Sequence, residues 1–288
     1  MKLTPAVVAD LHKGTLIQDL KEAKLSNLEI NQIEDISVCI SLCKLDLSQN
    51  RLESPTSLAG LHYMKGLTML NLSKNALKDI DQLKGLKKLT VLNVSYNQLQ
   101  EVPSILWRLE NLKAIVLNNN QIGNLPADLK FPASISTIVL SDNRIEDLQF
   151  FVKKSFPSLT KISLSHNEIR IIPAGLAKQM PLLKELRLSG NKITCIPTGA
   201  LPHSLEILDL SNNLIGELTA LEGLKQLSRL KNLSIKGCPI AKEQREKIRE
   251  MLPQLRILDG ERFDERWFLK RKQKTETFKA KRKQDSDQ

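Results

Sequence analysis

The stretch LKAIVLNNNQI, residues 112–122, decides the fold of this chain. Its apolar residues fall at Leu112, Ile115, Leu117 and Ile122, with an asparagine between the last two. The same pattern recurs seven more times, and its asparagines stand at Asn50, Asn75, Asn97, Asn120, Asn143, Asn167, Asn191 and Asn213. Successive asparagines are 22 to 25 residues apart. A period of that length indicates a solenoid, in which similar coils stack on one another.

Two weaker copies extend the array at its ends. Residues 20–30 keep the phase, with Leu28 where the asparagine would stand. Residues 230–240 follow the last full copy, with Cys238 at that position. The sequence therefore predicts about ten repeats.

The pattern resembles that of the leucine-rich-repeat superfamily, L-x-x-L-x-L-x-x-N/C-x-L, over residues 17–260. The resemblance implies an α/β fold, a right-handed horseshoe with a parallel sheet on its concave face and a helical cap at each end. In each coil the L-x-L portion is predicted to be a short strand whose leucines point inward. The eight asparagines are predicted to point inward too, because their amides can both donate to and accept from buried backbone groups of the turn.

Four segments follow from this pattern. Residues 1–16 are predicted to be an N-terminal cap, with a helix that begins at Thr4-Pro5 and covers the first repeat with Val7, Val8 and Leu11. Residues 17–240 are the repeats, 241–260 a C-terminal cap, and 261–288 a basic tail. Because aromatic residues make up only 4% of the chain, we expect an aliphatic core, and we expect Trp107 to pack in a convex turn.

The C-terminal cap has a resemblance of its own. The run Leu252-Pro253-Gln254-Leu255, ending in Leu258-Asp259-Gly260, is similar to the cap of several intracellular families. These are the nuclear regulator of protein phosphatase 1, the spliceosomal A-prime protein and the acidic nuclear phosphoproteins. The resemblance implies a nuclear or cytosolic adaptor and does not choose among the three.

The positive charge is concentrated in the tail. The chain carries a net charge of +11, of which the eight cations and one acid between residues 270 and 283 supply +7. We expect a disordered segment that acts as a nuclear import signal or contacts RNA. Its basic residues are Lys270, Arg271, Lys272, Lys274, Lys279, Lys281, Arg282 and Lys283.

An apolar patch is predicted on the concave face. Counting outward from the inward leucines, the solvent-facing positions of repeats three to six include Met69, Val91, Ala114, Val116 and Val139. Contiguous exposed apolar surface often marks an interaction site, so we expect these residues to bind a protein partner. The alternative is that small aliphatic residues simply suit strands.

Catalysis is not expected. The four histidines are scattered, no phosphate-binding glycine loop occurs, and Cys39 and Cys43 have no second pair to complete a zinc site. We expect no cofactor, no secretory signal and no membrane span, and a monomer in a reducing compartment, the nucleus or alternatively the cytoplasm. The favoured function is a protein-binding adaptor; the alternatives are an RNA-associated ribonucleoprotein component and a regulatory subunit of an enzyme such as a phosphatase.

Overall fold

The computed structural model describes residues 1–123, 125 and 129–262. The basic residues from Lys270 to Lys283 lie outside this range. Over the described residues the chain forms the expected horseshoe, an α/β solenoid with one long sheet on its concave side. The strands are β1 Lys2–Leu3, β2 Glu22–Lys24, β3 Gln32–Ile33, β4 Lys44–Asp46, β5 Met69–Asn71, β6 Val91–Asn93, β7 Ala114–Val116, β8 Thr137–Val139, β9 Lys161–Ser163, β10 Glu185–Arg187, β11 Ile207–Asp209, β12 Asn232–Ser234, β13 Ile257–Leu258 and β14 Glu261–Arg262.

The long sheet follows the order of the chain. Strand β2 and strands β4 to β12 pair in parallel, each with the next, so the described residues show the ten predicted coils. Strand β13 adds the final half-repeat in parallel, and β14 turns back to pair with β13 in the antiparallel sense. A separate pair, β1 with β3, ties the N-terminus to the first coil.

The convex side returns the chain through short helices. The α-helices are α1 Pro5–Leu11, α2 Gln149–Lys153, α3 Leu176–Gln179 and α4 Lys242–Met251, and the 3₁₀ segments are Pro55–Leu61, Asp81–Gly85, Ser104–Arg108 and Leu218–Leu224. In coils of 22 to 25 residues, few residues remain for the convex return after the strand and its turn, so the helical segments there are short.

The inward leucines form one continuous core. In strands β6 to β8 the central residues Leu92, Ile115 and Ile138 are fully buried, and they are paired in register. The expectation of a wholly aliphatic core is wrong in one place. Phe150, Phe151 and Phe156 are buried on the convex side, with ring centroids 5.4 to 6.1 Å apart. Aromatic side chains fill the wider space left by the helical return between β8 and β9.

The asparagines connect successive coils. The Asn97 Nδ2 donates to Leu72 O of the preceding coil and to Val94 O of its own coil, both at 3.0 Å. Its Oδ1 accepts from Leu77 N at 3.0 Å. The same bonds to the preceding coil recur at Asn50, Asn75, Asn120, Asn143, Asn167, Asn191 and Asn213. At the next position the Cys238 Sγ donates to Leu210 O at 3.2 Å, and burial raises the pKa of this thiol.

A left-handed residue precedes each asparagine. At Gln49, Lys74 and Tyr96 the backbone φ is 55° to 56°, and the corresponding residues of later coils follow. This region is unfavourable for residues with a Cβ. It recurs because the chain must turn sharply there while the asparagine points inward.

The two caps differ from expectation in one residue. The Thr4 Oγ1 accepts from Val7 N at 3.3 Å and Val8 is fully buried, as predicted for the N-terminal helix. Leu11 is 48% exposed, so its predicted contact with the first repeat is wrong. Helix α1 ends at this residue, which leaves it turned toward solvent. At the other end, Ile248 and Leu252 are buried and close the core.

Candidate functional site

The concave surface is built from the outward residues of the strands. Because side chains alternate across a strand, the first and third residues of each three-residue strand face away from the core. Parallel pairing in constant register then aligns them in two columns. One column contains Met69, Val91 and Ala114, and the other contains Val116 and Val139.

These five residues form a contiguous surface, named here the concave patch. Met69 is 40% exposed, and Val91, Ala114, Val116 and Val139 are half-buried. Met69 lies beside Val91, and Val91 beside Ala114, in directly paired strands. Ala114 and Val116 are on the same face of β7, so the two columns meet there.

A cavity of about 410 Å³ lies against the N-terminal part of this patch. Met69, Val91 and Val116 line it, whereas Ala114 and Val139 do not. The remaining lining residues come from the first two coils and from the strands of Met69 and Val91, and most are polar or charged: Glu22, Lys24, Lys44, Asp46, Asn71 and Asn93, with Ala23, Leu45 and Leu70. The site therefore has an apolar end and a charged end.

The charged end is ordered by contacts between coils. The Lys44 Nζ donates to Glu22 Oε1 at 2.5 Å, which lowers the pKa of Glu22 and raises the pKa of Lys44. Next to this pair, the Asn71 Nδ2 donates to Asp46 Oδ1 at 3.0 Å. A ligand in the cavity would meet carboxylate oxygens and an ammonium group within one surface.

A second charged group borders the patch on its other side. The Glu185 Oε1 lies 2.5 Å from Arg187 Nε and 3.1 Å from Lys161 Nζ. Burial alone would raise the pKa of Glu185, but the hydrogen bonds and charges of Arg187 and Lys161 outweigh it and the pKa is lowered. The concave patch is thus an apolar strip between two clusters of paired charges.

A column of small residues along the same face was not foreseen from the sequence. The column consists of serines that are almost buried and lie two residues before the asparagine of their coil: Ser48, Ser73, Ser95 and Ser165. The Asp46 Oδ1 accepts from Ser48 N at 2.9 Å, and the same bond recurs in later coils. The serine that recurs two residues before the asparagine was visible in the sequence and could have predicted this column, although Asn118 and Lys236 take its place in two coils.

Two other predicted placements differ from expectation. Trp107 is 49% exposed, so the prediction that it packs in a convex turn is wrong. Its ring is covered on one side by the Arg108 guanidinium, 4.9 Å from the ring centroid. Cys39 is buried as predicted, whereas Cys43 is half-buried and its Sγ donates to Lys21 O at 3.3 Å.

Two kinds of feature are absent from the described part of the chain. No cluster of three or more His, Cys, Asp or Glu side chains is placed there to hold a metal ion. No helix there is both long enough and apolar enough to cross a bilayer.

Two known repeat families match the chain over its repeats. The family described as "Leucine rich repeat" matches residues 40–99, 65–122 and 133–193, and the family described as "Leucine Rich repeats (2 copies)" matches residues 181–226. These matches cover most of the strands of the concave sheet. No curated protein sequence is significantly similar to the chain.

Solved structures of the same architecture are numerous. A leucine-rich-repeat protein of Leptospira interrogans superposes with a TM-score of 0.68 at 28% identity, over 83% of this chain and 66% of that one. An internalin of Listeria monocytogenes gives 0.62 at 23% identity, over 81% and 73%. TLR13, solved in a complex with ssRNA13, gives 0.70 at 23% identity, over 91% of this chain but only 38% of the receptor. With the repeat, the asparagine contacts and the family matches in agreement, the chain belongs to the leucine-rich-repeat family.

Proposed function

We propose that the protein is a non-catalytic interaction scaffold that binds a segment of a partner protein on its concave patch. Leucine-rich-repeat proteins generally serve as protein–protein interaction scaffolds. The observation that supports this site is the contiguity of five outward apolar side chains across β5 to β8, next to a cavity of about 410 Å³. Apolar surface of this kind, rimmed by charge, is typical of binding sites.

The proposal is tested on a partner recovered with the full-length chain. Val116→Asp together with Val139→Asp places two carboxylates in the patch, and we expect recovery of the partner to fall at least about tenfold, since desolvating an unpaired charge costs several kcal/mol. Asn232→Asp together with Ser234→Asp is the control, because these residues are the first and third of β12 and face the same concave side outside the patch. Recovery that is unchanged by the patch variant, with its melting temperature intact, contradicts the proposal.

We further propose that the protein acts in the nucleus. The support is the basic run from Lys270 to Lys283 and the resemblance of the C-terminal cap to nuclear adaptors. The experiment compares the cellular distribution of the full chain with that of a variant in which the eight tail cations are replaced by glutamine. Retention of nuclear accumulation by that variant contradicts an import role for the tail.

A further inference from the structure

A strongly basic surface lies away from the concave patch, along the edge of the solenoid at which the strands begin. We call this the strand-start edge. In the coils that contain β5, β6 and β7, the segments leading into the strands are residues 62–68, 84–90 and 107–113. They carry one acid, Glu110, and six exposed cations: Lys65, Lys84, Lys87, Lys88, Arg108 and Lys113.

Backbone contacts place these segments side by side. Thr90 N donates to Thr68 O and Lys113 N donates to Thr90 O, both at 2.8 Å. Farther from the strands, the Asn111 Nδ2 donates to Lys87 O at 2.8 Å. The cations of three coils therefore share one surface, which repeats at the spacing of adjacent strands, about 4.8 Å.

The charges of this surface are uncompensated. Within the described residues, no carboxylate oxygen lies within 4.0 Å of the side-chain nitrogens of the six cations.

The opposite edge of the same coils, where the strands end, has more acidic than basic residues. Its segments 72–82, 94–103 and 117–123 carry two cations, Lys74 and Lys78, against three acids, Asp79, Asp81 and Glu101. Positive charge is thus concentrated on one side of the solenoid.

Two aromatic side chains lie among the cations. Tyr63 is 60% exposed and its ring contacts His62 edge-on, at 4.9 Å between centroids. The His62 ring in turn lies over Gly85 of the next coil, where a Cβ would be 3.6 Å from His62 Nδ1 and 2.8 Å from His62 O. One coil farther on, the exposed Trp107 is held by the Arg108 guanidinium.

We propose that this surface binds single-stranded nucleic acid. Unpaired cations in rows attract a phosphate backbone, and exposed aromatic faces between them provide stacking platforms for unpaired bases. An acidic peptide would use the cations but has no planar groups to stack on Tyr63 and Trp107, which is why a nucleic acid is favoured. The concave patch takes no part in this binding, so either proposal can be wrong without affecting the other.

The experiment uses the full chain with Trp267→Phe, which leaves Trp107 as its only tryptophan. Binding of a single-stranded oligouridylate of about twelve nucleotides is followed by tryptophan fluorescence and by anisotropy of the labelled oligonucleotide. Stacking of a base on the indole quenches the Trp107 emission. We expect that quenching to saturate together with the anisotropy.

The matched variants have the same net charge and the same tail. Lys84→Glu, Lys87→Glu and Lys88→Glu together should weaken binding at least about tenfold and reduce the slope of log K against log salt by about 2, since each phosphate contact contributes about 0.7 for single strands. Lys78→Glu, Arg170→Glu and Lys236→Glu together reverse three exposed charges on the opposite edge, and should change the affinity less than about twofold.

A separate variant tests the stacking. Trp107→Ala, made in the chain that retains Trp267, should weaken binding about tenfold and leave the slope of log K against log salt unchanged.

Several outcomes would overturn the proposal. Unchanged Trp107 emission at saturation, or equal losses in the two triple variants, would assign the binding to another part of the chain. Polyglutamate of equal charge, or vesicles containing phosphatidylserine, that quench Trp107 as tightly as the oligonucleotide would assign the surface to an acidic protein or a membrane. Circular dichroism of each variant confirms that the fold is retained.

Discussion

The Arg245 Nη1 lies 3.0 Å from Asp259 Oδ2, at the point where the asparagine contacts between coils end. The other Asp259 oxygen accepts from Ile235 N at 2.7 Å, and the Arg245 Nη2 donates to Ile235 O at 3.1 Å. Between them, these two side chains satisfy the donor and the acceptor of one backbone residue in the last full coil. In the preceding coil the equivalent groups are Leu210 N, which donates to Ser234 O, and Leu210 O, which accepts from Asn213 Nδ2. In the cap the Asp259 carboxylate thus replaces a backbone carbonyl, and the Arg245 guanidinium replaces an asparagine amide.

The first prediction concerns this pair. Arg245→Met removes the guanidinium and leaves the partly buried Asp259 carboxylate without its cation, so the free energy of unfolding should fall by about 2–4 kcal/mol. Asp259→Asn retains an acceptor for Ile235 N and should cost less. Urea unfolding measures both, with the exposed Arg229→Met as the control. Equal stabilities of Arg245→Met and Arg229→Met would show that the pair does not stabilise the cap.

The second prediction concerns the asparagine contacts. Asn213 is only 3% exposed, and its Nδ2 donates at 2.9 Å to Leu188 O and to Leu210 O. Each of those carbonyls has a second donor, Asn191 Nδ2 for Leu188 O and Cys238 Sγ for Leu210 O. Asn213→Ala therefore leaves Ile193 N without a partner and removes one donor from each carbonyl, which should cost about 2–3 kcal/mol. Asn120→Ala, at a half-buried position, should cost about 1–2 kcal/mol because water reaches the same groups. Asn232→Ala, on the concave surface, is the control. A reversed order of the first two losses in thermal melts would refute the assignment.

The third prediction concerns the left-handed residue before each asparagine. Gln49 has a φ of 56°, which a β-branched side chain strongly disfavours. Gln49→Val should lower the free energy of unfolding by about 1–2 kcal/mol, whereas Gln49→Gly should leave it nearly unchanged. Both variants lose the same polar side chain, so their difference isolates the backbone effect. Chemical denaturation that gives the same stability for both variants would contradict the prediction.

The fourth prediction concerns pH. The lowered pKa of Glu185 means that its ionised form is favoured by the folded state. Its contribution should be complete above its ordinary value of 4.5 and should disappear as the pH falls through the lower value of the folded state. Glu185→Gln should therefore be about 1 kcal/mol less stable than the wild type at pH 7 and equally stable at strongly acidic pH. Glu222→Gln, in an exposed pair with Lys225, controls for loss of a surface charge. A stability difference that is independent of pH would contradict the prediction.

The fold was predictable because the repeat reports buried positions directly. Each inward leucine and each asparagine has the same function in every coil, so eight aligned copies from Asn50 to Asn213 define the sheet without further information. The convex side was less predictable. Phe150 and Phe156 come from one return whose sequence is not repeated in the other coils, and their packing against Phe131 depends on how that coil meets the preceding one.

The concave patch was predictable for a related reason, since alternation along a strand assigns a face to each residue. The cavity beside it was not. Its charged end depends on Glu22 of the first, degenerate coil and on the side-chain position that its contact with Lys44 imposes. The strand-start edge was not predicted, because its cations stand at several different positions of the repeat. Lys65 and Lys87 share one position and Lys113 has another, so only the folded register shows that they form one surface.

The reversal of the chain after Asp259 and Gly260 determines the flank on which the described residues end. Because β14 runs opposite to β13, Arg262 lies beside Ile257, on the side of the sheet from which every other strand sets out. The described residues therefore end on the flank that carries the six unpaired cations of the coils of β5 to β7, and the uneven charge gives this part of the molecule a lateral electric dipole. The electric field of this flank would orient an approaching polyanion so that it meets the solenoid at this edge first.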